Sequence, residues 1–409
     1  MSRTHSALLS RRALASVLQS LLSAELLAAR GRGNANARLP TQLPSEWSET
    51  MRIGGDMRDG LGCDSLESLW LASAVNEMFH LYEAASEEGL LTDATFADWL
   101  DRVEAAWRSG VAGITFTTSG TTGRPKRCLH SAEALLVEAS FLAGLFGDRR
   151  RIVSLVPAHH AYGFLFTALL PDALGVNHLD ATRMSASELA RRLAPGDLVV
   201  TFPERWHWLE RSLPVWPSDV EGVVSTAPCP PDLIASLCER GLSAMTEVYG
   251  SSETAGVAVR RWPKASYQLM SHWRFVEPIS EDAPEIVDQS GGRLSLPDGI
   301  RRQDDNHFLL AGRNDGAVQV GGINVFPRQV AEQLSRRPGV REAVTRLMRP
   351  EEGSRLKAFV VPASEIDAAA LRTDLDHWIN AALPVAERPM AITFGPQLPT
   401  SSMGKAADW

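Results

Sequence analysis

Ten consecutive residues, Thr117-Thr118-Ser119-Gly120-Thr121-Thr122-Gly123-Arg124-Pro125-Lys126, constrain this chain more than any other feature of it. Small hydroxyl-bearing residues and glycines in an unbroken row let backbone N–H groups and side-chain hydroxyls close around phosphate oxygens, while the terminal lysine adds positive charge. The tract follows a short β-rich run, Ile114-Thr115-Phe116, and precedes a helical one from Ala132 to Leu145. That setting predicts a phosphate loop carried between a strand and a helix. It is not a Walker A loop, because Pro125 precedes the lysine and no Ser or Thr follows it to hold magnesium.

From Gly113 onward, β-rich segments such as Ile152-Val153-Ser154-Leu155-Val156 alternate with helical ones, so the fold class is α/β, a large domain of mixed sheets and helices. Residues 1–108 read as a helical segment, with a polar, Gly- and Pro-bearing break from Gly31 to about Ser48. A third region starts near Gly316. Val318-Gln319-Val320 precedes a turn at Gly321-Gly322, then come a helix from Pro327, a strand from Lys357 to Val361 and a helix from Ala368 to Leu383, the pattern of a small α+β C-terminal domain. The expected division is 1–108, 109–315 and 316–409.

Charge excludes one class of partner: 41 Lys+Arg against 49 Asp+Glu, a formal net charge of −8, leaves no broad basic surface for nucleic acid. Cys63, Cys128, Cys229 and Cys238 fall in no metal-type spacing and suit a reducing compartment. Ser10-Arg11-Arg12 and the apolar residues after it imitate an export signal, but Gln19 and Glu25 interrupt the run, whose three- and four-residue steps predict an amphipathic helix. No run of roughly 18 apolar residues predicts a membrane span. The expected location is the cytoplasm, where ATP is available.

The phosphate tract and several ordered motifs after it, from about Gly113 to Lys405, resemble the adenylate-forming superfamily of acyl-CoA synthetases, acyl-carrier-protein ligases, peptide-synthetase adenylation domains and firefly luciferase. Pro157-Ala158-His159-His160-Ala161-Tyr162-Gly163 is similar to its aromatic/His segment, which implies that His160 lies near the acyl carboxylate, with His159 and Tyr162 in the acyl or thiol pocket. Ser225-Thr226-Ala227-Pro228 is similar to its adenine-side loop. Tyr249-Gly250-Ser251-Ser252-Glu253-Thr254 matches its Tyr-Gly-x-Thr-Glu motif with Ser252 in place of Thr, which implies that Glu253 holds magnesium on the ATP phosphates, a task for a hard carboxylate oxygen. Asp298 precedes Arg313 by 15 positions, the family's separation between the ribose-binding Asp and the Arg of Gly312-Arg313. The usual Thr-Gly-Asp is Leu296-Pro297-Asp298 here.

The resemblance further implies a hinge at Asp315, about which the small domain swings between two half-reactions. It implies a pantetheine passage along Gly321 and Gly322, and a catalytic lysine at Lys405 in Leu398-Pro399-Thr400-Ser401-Ser402-Met403-Gly404-Lys405. Carboxylate attack on the α-phosphate brings two anions together, so a positioned ammonium and Mg2+ must absorb developing charge.

The front end carries a second resemblance. Gly60-Leu61-Gly62-Cys63-Asp64-Ser65-Leu66-Glu67-Ser68-Leu69 is similar to an acyl carrier protein at its phosphopantetheine attachment point, with Ser65 as the modified residue. The helix after it is expected to present Leu66, Leu69, Ala72, Val75, Phe79 and Tyr82 on one face, followed by another helix from Phe96 to Trp107. Helix capping by Asp64 or Ser65 is the alternative reading. Only 116 residues precede Thr117, so the resemblance implies an adenylating core expected to be trimmed relative to the family.

Together these readings imply an ATP-dependent ligase. A carboxylic acid, with an aryl acid such as a hydroxybenzoate as the substrate expectation, forms acyl-AMP and pyrophosphate. A phosphopantetheine thiol, on an acyl carrier protein or CoA, then takes the acyl group. The competing reading is a non-catalytic homologue that binds nucleotide or a carrier protein.

Overall fold

Each helix at the front of the chain has a local reason to start where it does. The computed structural model describes residues 9–32, 47–54, 60–84, 89–92, 95–118, 126–349, 351–363, 367–399 and 409. Helix α1 (Arg11–Arg32) buries the stripe Leu14, Val17, Leu18, Leu21, Leu22 and Leu26. By length and composition it could cross a membrane, contrary to the sequence expectation, yet here that stripe packs into the protein core. Helix α2 (Ser65–Phe79) opens with a capping box, in which Asp64 accepts from the Glu67 amide and Glu67 accepts from the Asp64 amide. Helix α3 (Phe96–Ser109) opens with another, Thr95 with Asp98. A short parallel pair, β1 (Arg52–Gly54) and β2 (Gly60–Cys63), lies in the part after Ser48 expected to be helical.

Helix α2 corrects the expected apolar face. It buries Leu71, Ala72, Val75, Met78 and Phe79, while Leu66 and Leu69 are exposed, as is Tyr82 beyond its end. The helix is packed against α1 and the strand that follows α3, and those neighbours select a stripe rotated from the one the spacing suggested.

Strand β3 (Gly113–Thr118) pairs antiparallel with β4 (Lys126–Ser131), Thr118 facing Lys126. The phosphate tract therefore joins two strands, and helix α4 (Ala132–Leu145) begins only after β4. Next come β5 (Arg151–Ser154), α5 (Ala161–Phe164), a π-helical turn at 165–169, α6 (Leu170–Leu174), β6 (Asn177–Asp180), α7 (Ala186–Arg192), β7 (Asp197–Thr201), α8 (Pro203–Ser212), β8 (Glu221–Val224) and α9 (Pro231–Glu239). The sheet continues with β9 (Ala244–Ser251), β10 (Ala255–Arg261) and β11 (Tyr267–Leu269). After a three-stranded sheet of β12 (Arg274–Phe275), β13 (Glu285–Val287) and β14 (Arg293–Ser295) follow β15 (Asp298–Arg302) and β16 (His307–Arg313).

The nine-stranded sheet runs β15-β16-β11-β10-β9-β8-β7-β5-β6. Its β6-β5-β7-β8-β9 half is parallel, with helical crossovers, and the rest is antiparallel. Strands β7 and β8 are buried along their whole length, as expected of parallel strands covered on both faces. The stripes of α1, α2 and α3 share one hydrophobic core with this sheet.

The last region has a separate core. It consists of the hairpin β17 (Val318–Val320) and β18 (Ile323–Val325), α10 (Pro327–Ser335), β19 (Val340–Leu347), β20 (Leu356–Pro362), α11 (Ala368–Ala382) and β21 (Ala391–Phe394). Elements expected from Pro327, Lys357 and Ala368 stand within a residue of those starts.

Candidate active site

In an open α/β sheet the carboxyl ends of the parallel strands form one edge where ligands gather, because crossover connections leave loops there. Three of the motifs lie on that edge. Pro157–His160 follows β5, Ser225–Ala227 follows β8, and Ser252-Glu253 follows β9.

The β3–β4 hairpin meets the same edge. The Lys126 ammonium and the Glu253 carboxylate, 127 residues apart in sequence, are joined as an ion pair. His130 on β4 donates through Nε2 to the Ser252 carbonyl at 2.7 Å, which ties the hairpin to the β9–β10 turn. Within that turn, the amides of Glu253 and Thr254 donate to Ser251 Oγ, and the Ser251 amide donates to Thr254 Oγ1 at 2.9 Å. Burial pushes the Glu253 carboxyl up, but hydrogen bonds from Lys126 and Ser251 outweigh it and hold the group below the usual carboxylate range. The same bond to Glu253 raises the Lys126 ammonium. Both side chains are about half exposed, so the charges stand ready to be re-partnered by a ligand. Behind the turn, the buried Glu138 of α4 accepts from the Gly256 amide at 3.0 and 3.1 Å.

On the opposite flank, Tyr249 Oη donates to Asp298 Oδ2 at 2.9 Å, and Asp298 faces Arg313 across the β15–β16 pair. Burial raises the Asp298 carboxyl, with the Tyr249 hydrogen bond and the Arg313 charge opposing it. Arg313 grips Asp315 through two bonds of 2.8 and 2.5 Å. Gly250 admits no side chain, since a Cβ there would lie 2.0 Å from the Ala255 carbonyl oxygen.

Thr226 adopts a left-handed backbone, φ 77°, rare for a threonine and therefore held by its surroundings. The neighbouring Ser225 hydroxyl donates to the Val248 carbonyl at 2.8 Å, and Ala227 continues the loop. The Gly321-Gly322 turn between β17 and β18 reaches this loop: a Cβ on Gly322 would stand 3.0 Å from Thr226 Oγ1, while Gly321 is open.

The His159 and His160 rings lie against each other at a tilt of 43° with centroids 4.3 Å apart, His159 half-buried and His160 exposed. Desolvation, with the neighbouring His160, pushes the His159 imidazole down to about 3. Tyr162 donates from its phenol toward the Thr201 and Val223 carbonyls, each at 3.2 Å. Thr117 and Thr118 are the last two residues of β3, paired with Arg127 and Lys126 of β4.

Ser119, Gly120, Thr121, Thr122, Gly123 and Lys405 lie outside the described residues. Ser65 is the exposed first residue of α2, and the capping role belongs to Asp64. Sequence reasoning missed Ser20, His130 and Glu138. Only Glu138 left a signal, a lone acid in the apolar run Leu135–Ala139.

A carboxylate beside an ammonium at a strand edge suits a Mg2+–triphosphate pair. Magnesium is normally bound by one or two carboxylates plus substrate phosphates, so the single acid Glu253 fits it without further protein ligands. Among the described residues no group of three or more His, Cys, Asp or Glu forms a self-sufficient metal cage.

The family model described as AMP-binding enzyme matches residues 65–300. A 4-coumarate--CoA ligase of Halorhodospira halophila is 35% identical over 393 residues, 95% of this chain and 97% of that protein. A 4-coumarate--CoA ligase of Rhodobacter capsulatus is 38% identical over 367 residues, covering 87% and 92%. Among solved structures, an o-succinylbenzoate CoA synthetase from Bacillus subtilis superposes with a TM-score of 0.57 at 18% identity, over 72% of this chain and 67% of that one, a likeness of fold.

Proposed function

This chain belongs to the AMP-binding enzyme family and is an ATP-using, AMP-forming acid–thiol ligase, and we propose that it activates a hydroxylated aryl acid of the 4-coumarate type and passes the acyl group to CoA. The convergence of Lys126 and Glu253 carries the reading of the site. The near full-length relatives named for 4-coumarate and CoA favour the acid and the acceptor.

In this reading the acid's carboxylate oxygen attacks the α-phosphorus of ATP, and the bond to the pyrophosphate leaving group breaks. Lys126 leaves Glu253 for the phosphates, where its ammonium offsets developing charge. Glu253, once free of Lys126, would hold a Mg2+ ion, which would supply Lewis-acid charge to the phosphates. Asp298, held by Tyr249, accepts the two ribose hydroxyls, and Arg313 lies across the strand pair from it. Thr226, Ala227, Gly250, Ser251 and Ser252 line the nucleotide, Thr117 to Gly123 wrap the phosphates, and His160 lies by the acid's carboxylate with His159 and Tyr162 behind it. In the second half-reaction the CoA thiolate attacks the acyl carbon and AMP leaves with the bonding electrons.

The small domain turns about Asp315, presenting Lys405 for adenylation and the Gly321-Gly322 turn for thioester formation. The enzyme works in the cytoplasm, with residues 109–315 as the adenylating unit and 316–409 as the mobile one. The front-end resemblance keeps a carrier-bound pantetheine arm, including one on Ser65, as the second acceptor to test.

The test is acid-dependent ATP–pyrophosphate exchange over a panel of cinnamic, benzoic and fatty acids, followed by thioester formation with CoA and by intact mass after co-expression with a phosphopantetheinyl transferase. Exchange with 4-coumarate and transfer to CoA without a mass gain is the expected result. No exchange with any aryl acid would end the proposal, and a pantetheine-sized mass gain would replace CoA by the carrier.

A further inference from the structure

We propose that Ser20, on the N-terminal helix α1, is a positioning residue that holds the histidine pair at the acid-side mouth of the site in one tautomer and orientation. The inference rests on the reading above that His160 lies beside the acid's carboxylate.

Ser20 sits among the apolar residues Val17, Leu18, Leu21 and Leu22, which anchor α1 in the core, so its hydroxyl has a fixed height and direction. Two groups of the loop after β5 converge on it. The Ala158 amide donates to Ser20 Oγ at 3.0 Å, and His159 Nδ1 lies 2.8 Å from the same oxygen. A serine hydroxyl has one hydrogen to give, and the structure offers Ser20 no other acceptor among the described residues. The hydroxyl hydrogen therefore points at Nδ1, which acts as acceptor and leaves the ring proton on Nε2. Desolvation pushes the His159 pKa down to about 3, which favours the neutral ring with its single proton.

The consequence passes to His160 through ring contact, since the two centroids are 4.3 Å apart. Backbone geometry reinforces it. The loop closes tightly over the start of α5, where a Cβ on Gly163 would come within 1.8 Å of the Pro157 carbonyl oxygen, which limits how far the loop can reorient. A helix far upstream in the chain thus sets the acid-side groups of the site.

Imidazole nitrogen NMR of the full-length protein, with the His159 signals assigned through a His159→Gln control, reads the tautomer directly. Wild type is expected to show a protonated Nε2 and a bare Nδ1. Ser20→Ala, a substitution that raises helix propensity, is expected to mix the tautomers and to raise KM for the acid about tenfold. KM for ATP should stay within about twofold, because the nucleotide contacts are untouched. Ser20→Thr keeps the hydroxyl and should restore the wild-type signals.

A proton on Nδ1 in wild type, or unchanged His159 signals in Ser20→Ala, would overturn the proposal. So would altered signals with unchanged acid kinetics, or equal rises in both KM values. A wild type inert toward every acid would instead sink the functional reading, while the tautomer result would still decide whether Ser20 holds the pair.

Discussion

Tyr249 and Asp298 are joined by a 2.9 Å hydrogen bond that links β9 to β15 and fixes the orientation of the acid assigned to the ribose. Burial raises that carboxyl and the phenol opposes the rise. Tyr249→Phe removes the donor, so the Asp298 pKa climbs further and the acidic limb of kcat/KM for ATP moves to higher pH. We expect a KM for ATP about three- to tenfold higher near pH 6, with a smaller change near pH 8. An acidic limb that stays in place would detach Asp298 from the nucleotide.

Lys126→Met and Glu253→Gln should each lower pyrophosphate exchange by about a hundredfold or more, as expected for charges aimed at phosphate oxygens. Their pair is half exposed and contributes at most about 1 kcal/mol to stability, so the melting temperature should move by no more than about 2 °C. Loss of activity accompanied by a large fall in melting temperature would make the pair a structural one.

Glu138 offers a pH test of the fold. Burial pushes its carboxyl up to about 8, against 4.5 for the unperturbed group, while the Gly256 amide bond opposes the rise. A raised folded-state pKa means that the unfolded chain loses its proton first. Stability is therefore full below the unfolded value and falls as pH climbs toward about 8, by a few kcal/mol at most. Glu138→Gln keeps the acceptor for Gly256 but cannot ionise. Its melting temperature should match wild type near pH 5 and exceed it near pH 8, as calorimetry would show, and an equal offset at both pH values would contradict the buried neutral acid.

Gly322→Val adds a branched side chain at a left-handed position, φ 74°, facing the Thr226 hydroxyl 3.0 Å from the new Cβ. The turn can no longer settle against the Thr226 loop. Thioester formation from supplied acyl-AMP should fall at least tenfold while pyrophosphate exchange stays near wild type. Equal losses in both half-reactions would argue that the contact does not belong to the second step.

Much of this architecture is legible in the sequence. Helix Ala132–Leu145 and the elements from Pro327, Lys357 and Ala368 follow from local periodicity, which depends only on neighbours along the chain. Leu66 and Leu69 are exposed although their spacing puts them with Ala72 and Val75, because which stripe of α2 is buried depends on α1 and β3, partners that periodicity cannot name. The strand pair β1–β2 was invisible for a related reason. Such short strands carry little pattern and exist through their pairing.

By itself the sequence determined the chemistry available to this protein: a glycine- and hydroxyl-rich tract ending in Lys126, an acid at Glu253, an acid and a base spaced 15 apart at Asp298 and Arg313, and a histidine pair. Tertiary structure alone decided that Lys126 meets Glu253, that Tyr249 holds Asp298, that Gly322 touches Thr226 and that Ser20 anchors the histidine loop. Residue types and local spacing are read along the chain, but each of these contacts joins segments far apart in it. Their meeting depends on the order of strands in the sheet and on where the crossover connections place the loops, and no short stretch of sequence encodes that.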